Sequence, residues 1–182
     1  MRVITGSARG HKLKTLEGDD VRPTTDRVKE AIFSIVQFEV QAAKFLDLFA
    51  GSGQMGIEAL SRGAKLAVFV DQSKQSLEVV RDNLKSTGLI VGSRVVAMDY
   101  QSFLLGCKDR FDIAFLDPPY HKGILQEALP LVASRMEPDG VILCEHQKGE
   151  ELPETVVDFK LQKQYNYGKI TVTAYRAVRD ER

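Results

Sequence analysis

From Lys44 to His146 the chain alternates between short, evenly apolar runs and longer stretches with helical spacing. No other feature restricts its fold as strongly. KFLDLFA, KLAVFV, RVVAM, DIAFL and VILCEH are too short for buried helices and read as buried strands. Between them lie a short helix after a glycine-rich turn and running through Leu60, the amphipathic SKQSLEVVRDNLKS, a short SFLLG helix, and ILQEALPLVASR. Gly63 and Gly88 stand where helices stop, and Pro130 is expected to kink the last helix. Strand–helix alternation of this kind closes into an open, mostly parallel sheet with helices on both faces, the α/β Rossmann-like class. Ligands of such sheets bind outside the carboxyl ends of the strands.

The flanks read differently. RVITGSARGHKLKTL reads as a small β-hairpin, basic through Arg2, Arg9, Lys12 and Lys14. A linker, EGDDVRP, leads to TTDRVKEAIFSIVQF, where Val28, Ala31, Ile32, Ile35 and Val36 share one helical face. Thr24 or Thr25 supplies its cap, and Asp26 suits its first turn. The tail, DFKLQKQYNYGKITVTAYRAV, reads as a hairpin turning around Asn166–Gly168. The expected organisation is one domain over residues 1–182, with a basic hairpin and linker at 1–22 and a helix plus Rossmann-like core at 23–182.

Charge excludes the simplest nucleic-acid reading. Net charge is +0 and the sequence pI is about 6.8, so any contact with nucleic acid must come from a local patch. Cys107 and Cys144 have no paired spacing, and His11, His121 and His146 are scattered. No metal site and no disulfide framework is expected, and a reducing compartment fits. No apolar run is long enough to span a membrane, and MRVITGSARG has no signal-peptide core, so the expected location is cytoplasmic.

The glycine turn lies in FLDLFAGSGQMGIEAL, where Gly51, Gly53 and Gly56 form G-x-G-x-x-G between a strand and a helix. Asp71 ends the next strand, where a ribose-binding acid belongs in a dinucleotide fold. A nicotinamide cofactor is therefore a serious rival, and a tight turn with no ligand is the bland alternative. Two acids weigh against NAD. Asp47 interrupts an apolar strand, and a buried carboxylate needs a donor or a cation. Asp99 ends a third strand. Three strand-end acids suit a ligand with an ammonium and a sulfonium, S-adenosyl-L-methionine, better than they suit a pyrophosphate. Asp47 would face the methionine end, Asp71 the ribose hydroxyls and Asp99 the adenine amino group.

FDIAFLDPPYHKG carries the second signal. Two prolines stiffen the loop and leave the carbonyls of Asp117 and Pro118 without a local donor. With the carboxyl of Asp117 they form a rigid set of acceptors for an exocyclic amino group. Pro119 holds Tyr120 beside them, and its ring offers an unstacked base a face worth roughly 1–3 kcal/mol. Alone, Pro-Pro reads as a rigid turn. Together with the three acids and the glycine turn it points to amino-group methylation.

FLDLFAGSG followed by FLDPPY resembles the class I methyltransferases that act on exocyclic amino groups of nucleobases. RVITGSARGHKL, VRPTTDRVKEAIFSIV, FAGSGQMGIEALSRGA and LDPPYHKG together are similar to the bacterial small-subunit (16S) ribosomal RNA guanine-N2 methyltransferase family. RPTTDRV is the most specific element, since a generic methyltransferase fold does not require it. The resemblance implies a seven-stranded sheet whose last hairpin adds an antiparallel strand. It implies a cofactor site formed by Asp47, Ala50, Gly51, Ser52, Gly53, Asp71, Gln72, Asp99 and Tyr100. Asp117, Pro118, Pro119 and Tyr120 would hold the target guanine. Arg22, Thr24, Thr25 and Arg27 would border the site, with Arg9, Lys12 and His121 as further RNA contacts. The implied partner is ribosomal RNA within an assembled or assembling 30S particle, because the chain has no separate target-reading domain. Departures from the pattern are Thr5, Asp71 and the pair Gln54-Met55. Glu145, at a strand end, reads as a structural hydrogen-bonding residue. Methylation of adenine-N6 or of protein glutamine stays open beside the guanine reading, and a nicotinamide-dependent oxidoreductase or an inactive binding domain remains the alternative of another class.

Overall fold

The computed structural model describes residues 1–17, 24–120 and 123–178. Arg22 and His121 lie outside the described residues. After helix α1 (Asp26–Ile35) the order is β1 (Lys44–Asp47), α2 (Gln54–Ser61), β2 (Leu66–Asp71), α3 (Lys74–Thr87), β3 (Ser93–Ala97), α4 (Tyr100–Gly106), β4 (Phe111–Leu116), α5 (Ile124–Ala133) and β5 (Met136–Gln147). Three strands close the fold: β6 (Thr155–Val156), β7 (Phe159–Tyr167) and β8 (Ile170–Ala177).

All eight strands form one sheet in the order β3-β2-β1-β4-β5-β8-β7-β6. The first five are parallel, and β8, β7 and β6 add antiparallel pairings. The sheet is thus mixed. It exceeds the expected seven strands by β6, a two-residue edge pairing with Phe159 and Lys160.

Period-two alternation divides the core. Phe45, Phe69, Ile113 and Phe115 face one side, packed with Val28, Ile32, Phe33, Ile57, Val80 and Leu84 of α1–α3. Leu46, Val68, Ala114 and Leu116 face the other, packed with Phe103 and Leu104 of α4 and Leu125, Leu129 and Val132 of α5. Parallel strands covered on both faces must be apolar throughout, which is why they read as unbroken runs. Thr25 caps α1 through its hydroxyl, which accepts from Val28 N at 3.3 Å. Gly88 ends α3 in the left-handed region at φ 72°. Helix α5 continues through Pro130, held by its buried Leu125, Ala128, Leu129 and Val132.

The N-terminal segment is a hairpin in outline, with one antiparallel bridge, Arg2 to Lys12, and it lies outside the main sheet. Buried polar groups fasten it to the helices. Glu58, fully buried, accepts from Ile4 N at 2.8 Å and Thr5 N at 3.1 Å. The Ser61 hydroxyl accepts from Ala8 N at 2.9 Å and donates to the Thr5 carbonyl at 2.7 Å. Asn83 accepts from Lys14 N at 2.7 Å and donates to the carbonyls of Lys14 and Ser52, each at 3.0 Å. The buried Lys29 ammonium donates to the Arg2 carbonyl at 2.6 Å and lies 3.7 Å from Glu58, and burial pulls its pKa down. This fastening brings Met1, Thr15 and Leu16 to the rim of the cavity described next.

Candidate active site

A cavity of about 650 Å³ opens at the carboxyl ends of β1, β2, β4 and β5. Strand register explains why its acids converge. Asp47 is paired with Phe69 on one side and Phe115 on the other, so Asp71 and Asp117 each lie two residues further along a neighbouring strand. Asp71 is paired with Ala97, and Asp99 again lies two residues on. Asp47 and Asp71 close their strands and Asp99 and Asp117 lie just past theirs, so the four acids gather along one edge of the sheet. Leu116 pairs with Cys144, which puts Glu145 beside Asp117.

Asp47 is 1% exposed and accepts from Gly56 N at 3.0 Å, in the first turn of α2. Burial pushes its carboxyl up to about 7, against the pull of that bond. Asp71 accepts from Gly51 N and Ser73 N, each at 2.9 Å, and so braces the glycine turn. Asp99 caps α4, accepting from Ser102 N at 2.9 Å and the Ser102 hydroxyl at 2.8 Å. Those bonds hold its carboxyl below the ordinary range. Tyr100 packs on Phe49 with centroids 5.5 Å apart and donates its hydroxyl to Glu127 at 2.8 Å.

At the end of β4, Pro118 is buried, Pro119 exposed and Tyr120 half-buried. Burial, with Glu145 and Asp47 nearby, drives the Asp117 carboxyl well above its ordinary pKa. Glu145 is also raised by burial, and the Thr24 hydroxyl donates to it at 2.9 Å.

The cavity is lined by Ala50, Gly51, Ser52, Gln72 and Tyr100 as expected, and by Asp117–Tyr120 and Thr24. Gly53 does not line it. With φ 81° it turns the chain into α2, and a Cβ there would meet Val80 at 3.0 Å and Phe69 at 3.3 Å. Gly56 is a packing glycine, since a Cβ would come within 2.4 Å of the Phe69 ring. Thr25 caps α1 instead of lining the cavity, and Arg9, Lys12 and Arg27 are exposed outside its lining. Sequence reasoning gave Glu145 a structural hydrogen bond only. That bond is present, but the side chain also lines the cavity beside Asp117. Gln54, 6% exposed, also lines it, and its Oε1 has no partner among the described residues.

The chemistry of the lining discriminates between ligands. Asp47, Asp71, Asp99, Asp117 and Glu145 contribute five carboxyl groups, and the described lining holds no Lys, Arg or His. Such a wall repels a pyrophosphate and suits a cationic ligand with hydroxyl and amino donors. The residues fit S-adenosyl-L-methionine, and the volume falls within the ordinary range for small-molecule sites.

Fold and site together define an α/β protein of the class I methyltransferase type. The chain belongs to the family described as conserved hypothetical protein 95, which it matches over residues 1–176. It is 41% identical to YlbH of Bacillus subtilis, over 97% of this chain and 98% of that one. It is 32% identical to "Ribosomal RNA small subunit methyltransferase D" of Escherichia coli K12, over 97% of this chain and 89% of that one. Among solved structures, yhhF of Escherichia coli superposes with a TM-score of 0.86 at 33% identity, covering 97% of each chain.

Proposed function

We propose that the protein is an S-adenosyl-L-methionine-dependent methyltransferase of small-subunit ribosomal RNA, acting on the exocyclic N2 amino group of a guanine. The observation that carries the reading is a lining whose charged side chains, among the described residues, are all carboxyls, joined to the Asp-Pro-Pro-Tyr corner. Full-length similarity to proteins named for ribosomal RNA small-subunit methylation supports the RNA class. The guanine rests on RPTTDRV and its neighbours, which resemble guanine-N2 enzymes.

When bound, the cofactor supplies a methyl group already activated by its sulfonium charge. Asp47 would hold the ammonium end, Asp71 would accept from ribose hydroxyls, and Asp99 with Tyr100 would border the adenine. Asp117 and the Pro118 carbonyl accept from the target N–H groups, which fixes the nitrogen and frees its lone pair for attack. The Tyr120 ring gives the flipped base a face, at a cost that is lowest for a base already unstacked. Thr24 brings the N-terminal segment to this corner, and the substrate presented is an assembled or assembling 30S particle.

The test is incubation of the protein with labelled cofactor and small subunits from a strain lacking it, followed by nucleoside mass analysis. Label in N2-methylguanosine is expected. Label in adenosine, or none in guanosine, overturns the substrate.

A further inference from the structure

Asp117 and Glu145 stand side by side at the ends of two parallel strands, one residue beyond the paired Leu116 and Cys144. At that range each carboxyl acts on the titration of the other. Two carboxyl groups placed side by side are relieved of their mutual repulsion when one proton is shared between them. Glu145 is 2% exposed and Thr24 is 6% exposed. The Thr24 hydroxyl donates to Glu145 Oε2 at 2.9 Å, which favours negative charge on Glu145 and leaves the shared proton on Asp117. One Asp117 oxygen then donates to Glu145, and the other remains an acceptor toward the cavity. Among the described residues, Asp47 from β1 and, in register with Glu145 on β8, the apolar Val172 also face the pair, and Glu150 lines a small pocket with Glu145. His146 is engaged elsewhere, with the Gln147 carbonyl at 3.0 Å and the Thr173 hydroxyl at 2.7 Å.

We propose that Glu145 takes up, through Asp117, the proton that the target amino group loses on methylation. The proposal rests on the amino-group reading above. As the carbon–sulfur bond breaks and the carbon–nitrogen bond forms, the nitrogen becomes cationic and must release one proton. That proton passes to the free oxygen of Asp117, while the proton on its other oxygen moves to Glu145. Asp117 ends as it began, Glu145 becomes neutral, and no further reactant is needed.

Glu145→Gln preserves size and the bond from Thr24 but removes the acceptor of the proton. In single-turnover methylation of small subunits across roughly pH 5.5 to 9, wild-type protein is expected to lose rate on the acid side, where the pair is already fully protonated. Glu145→Gln is expected to slow the step at least about tenfold at neutral pH and to move that acid limb to the lower pH at which Asp117 alone is protonated, with cofactor affinity within about twofold of wild type. Thr24→Val removes the donor that favours charge on Glu145 and is expected to move the limb to higher pH. A wild-type rate and limb in Glu145→Gln overturns the proposal; if that variant does not fold, an unmoved limb in Thr24→Val does so. Infrared difference spectra of the protein without RNA, wild type minus Asp117→Asn, provide a readout independent of substrate. A protonated-carboxyl band persisting at neutral pH and lost in Glu145→Gln is expected, and its absence in wild type overturns the shared proton. Label on a base other than guanine overturns the substrate reading alone, because the infrared titration does not involve RNA.

Discussion

At the residue scale, Asp47 is a buried carboxyl and Asp117 a half-buried one, and they answer to different partners. Asp117 has the target amino group as its expected donor, so Asp117→Ala should reduce transfer by about a hundredfold or more. Cofactor affinity, read by calorimetry, should change little. Loss of both together would assign Asp117 to cofactor binding or structure. Asp47 has one backbone donor, Gly56 N, and a pKa of about 7 where the ordinary carboxylate value is 3.8. The native state therefore holds a proton that the unfolded chain has released, so stability is present in full below the unfolded value and falls as pH rises through about 7. Asp117 and Glu145 are raised as well and act with the same sign. The melting temperature of the ligand-free protein should fall across that window, and Asp47→Asn should flatten part of the slope. Cofactor binding has the opposite sense. A ligand ammonium prefers the ionised acid, so affinity should rise by up to about tenfold per unit from roughly pH 5.5 to 7 in wild type, but not in Asp47→Asn.

At the scale of elements, the alternation from Lys44 onward predicted all five parallel strands and the helices between them, because burial on both faces writes itself into local sequence. The acids at strand ends were legible for the same reason, since Asp71, Asp99 and Asp117 each close an apolar run and Asp47 interrupts one. The pairing of Glu145 with Asp117 was not. It depends on the register between β4 and β5, and its Thr24 partner is 121 residues away along the chain. Nor could the glycine turn be resolved from sequence into its parts, because G-x-G-x-x-G looks alike whether a glycine meets a ligand, as Gly51 can, or a phenylalanine ring, as Gly56 does. The hairpin was read correctly in outline but with no hint of what anchors it. Asn83 makes three bonds that join Lys14 and the carbonyl of Ser52 to α3. Asn83→Ala strands those backbone groups at the cavity rim, and each unsatisfied buried group costs about 1–3 kcal/mol. Thermal melting should show a clear loss of stability, and calorimetry should show weaker cofactor binding because Ser52 and Leu16 line the site. An unchanged affinity would mean that the hairpin does not order the cavity.

At the scale of the whole molecule, a protein of zero net charge is proposed to bind a polyanion, and the distribution of its cations decides how. Arg2 is paired with Asp26 at 3.3 Å and Lys14 with Asp82 at 3.1 Å, so half of the basic hairpin is already neutralised. Arg9 and Lys12 are exposed and have no ion pair among the described residues, and Arg27 is exposed at the start of α1. The acidic cavity repels phosphate, so backbone contacts are expected outside its mouth, and the hairpin and α1 offer Arg9, Lys12 and Arg27 for them. Each phosphate neutralised on a single strand contributes about −0.7 to the slope of log affinity against log salt. Three such contacts predict a slope near −2, well short of that of a strongly basic RNA-binding protein. Arg9→Ala with Lys12→Ala should flatten the slope by about 1.4, weaken binding to small subunits severalfold, and leave cofactor affinity unchanged. A wild-type slope steeper than about −6 would require a phosphate-binding surface much wider than the hairpin. Recognition would then lie in electrostatics spread over the molecule, and the shape of the partly assembled particle would lose its place as the source of specificity.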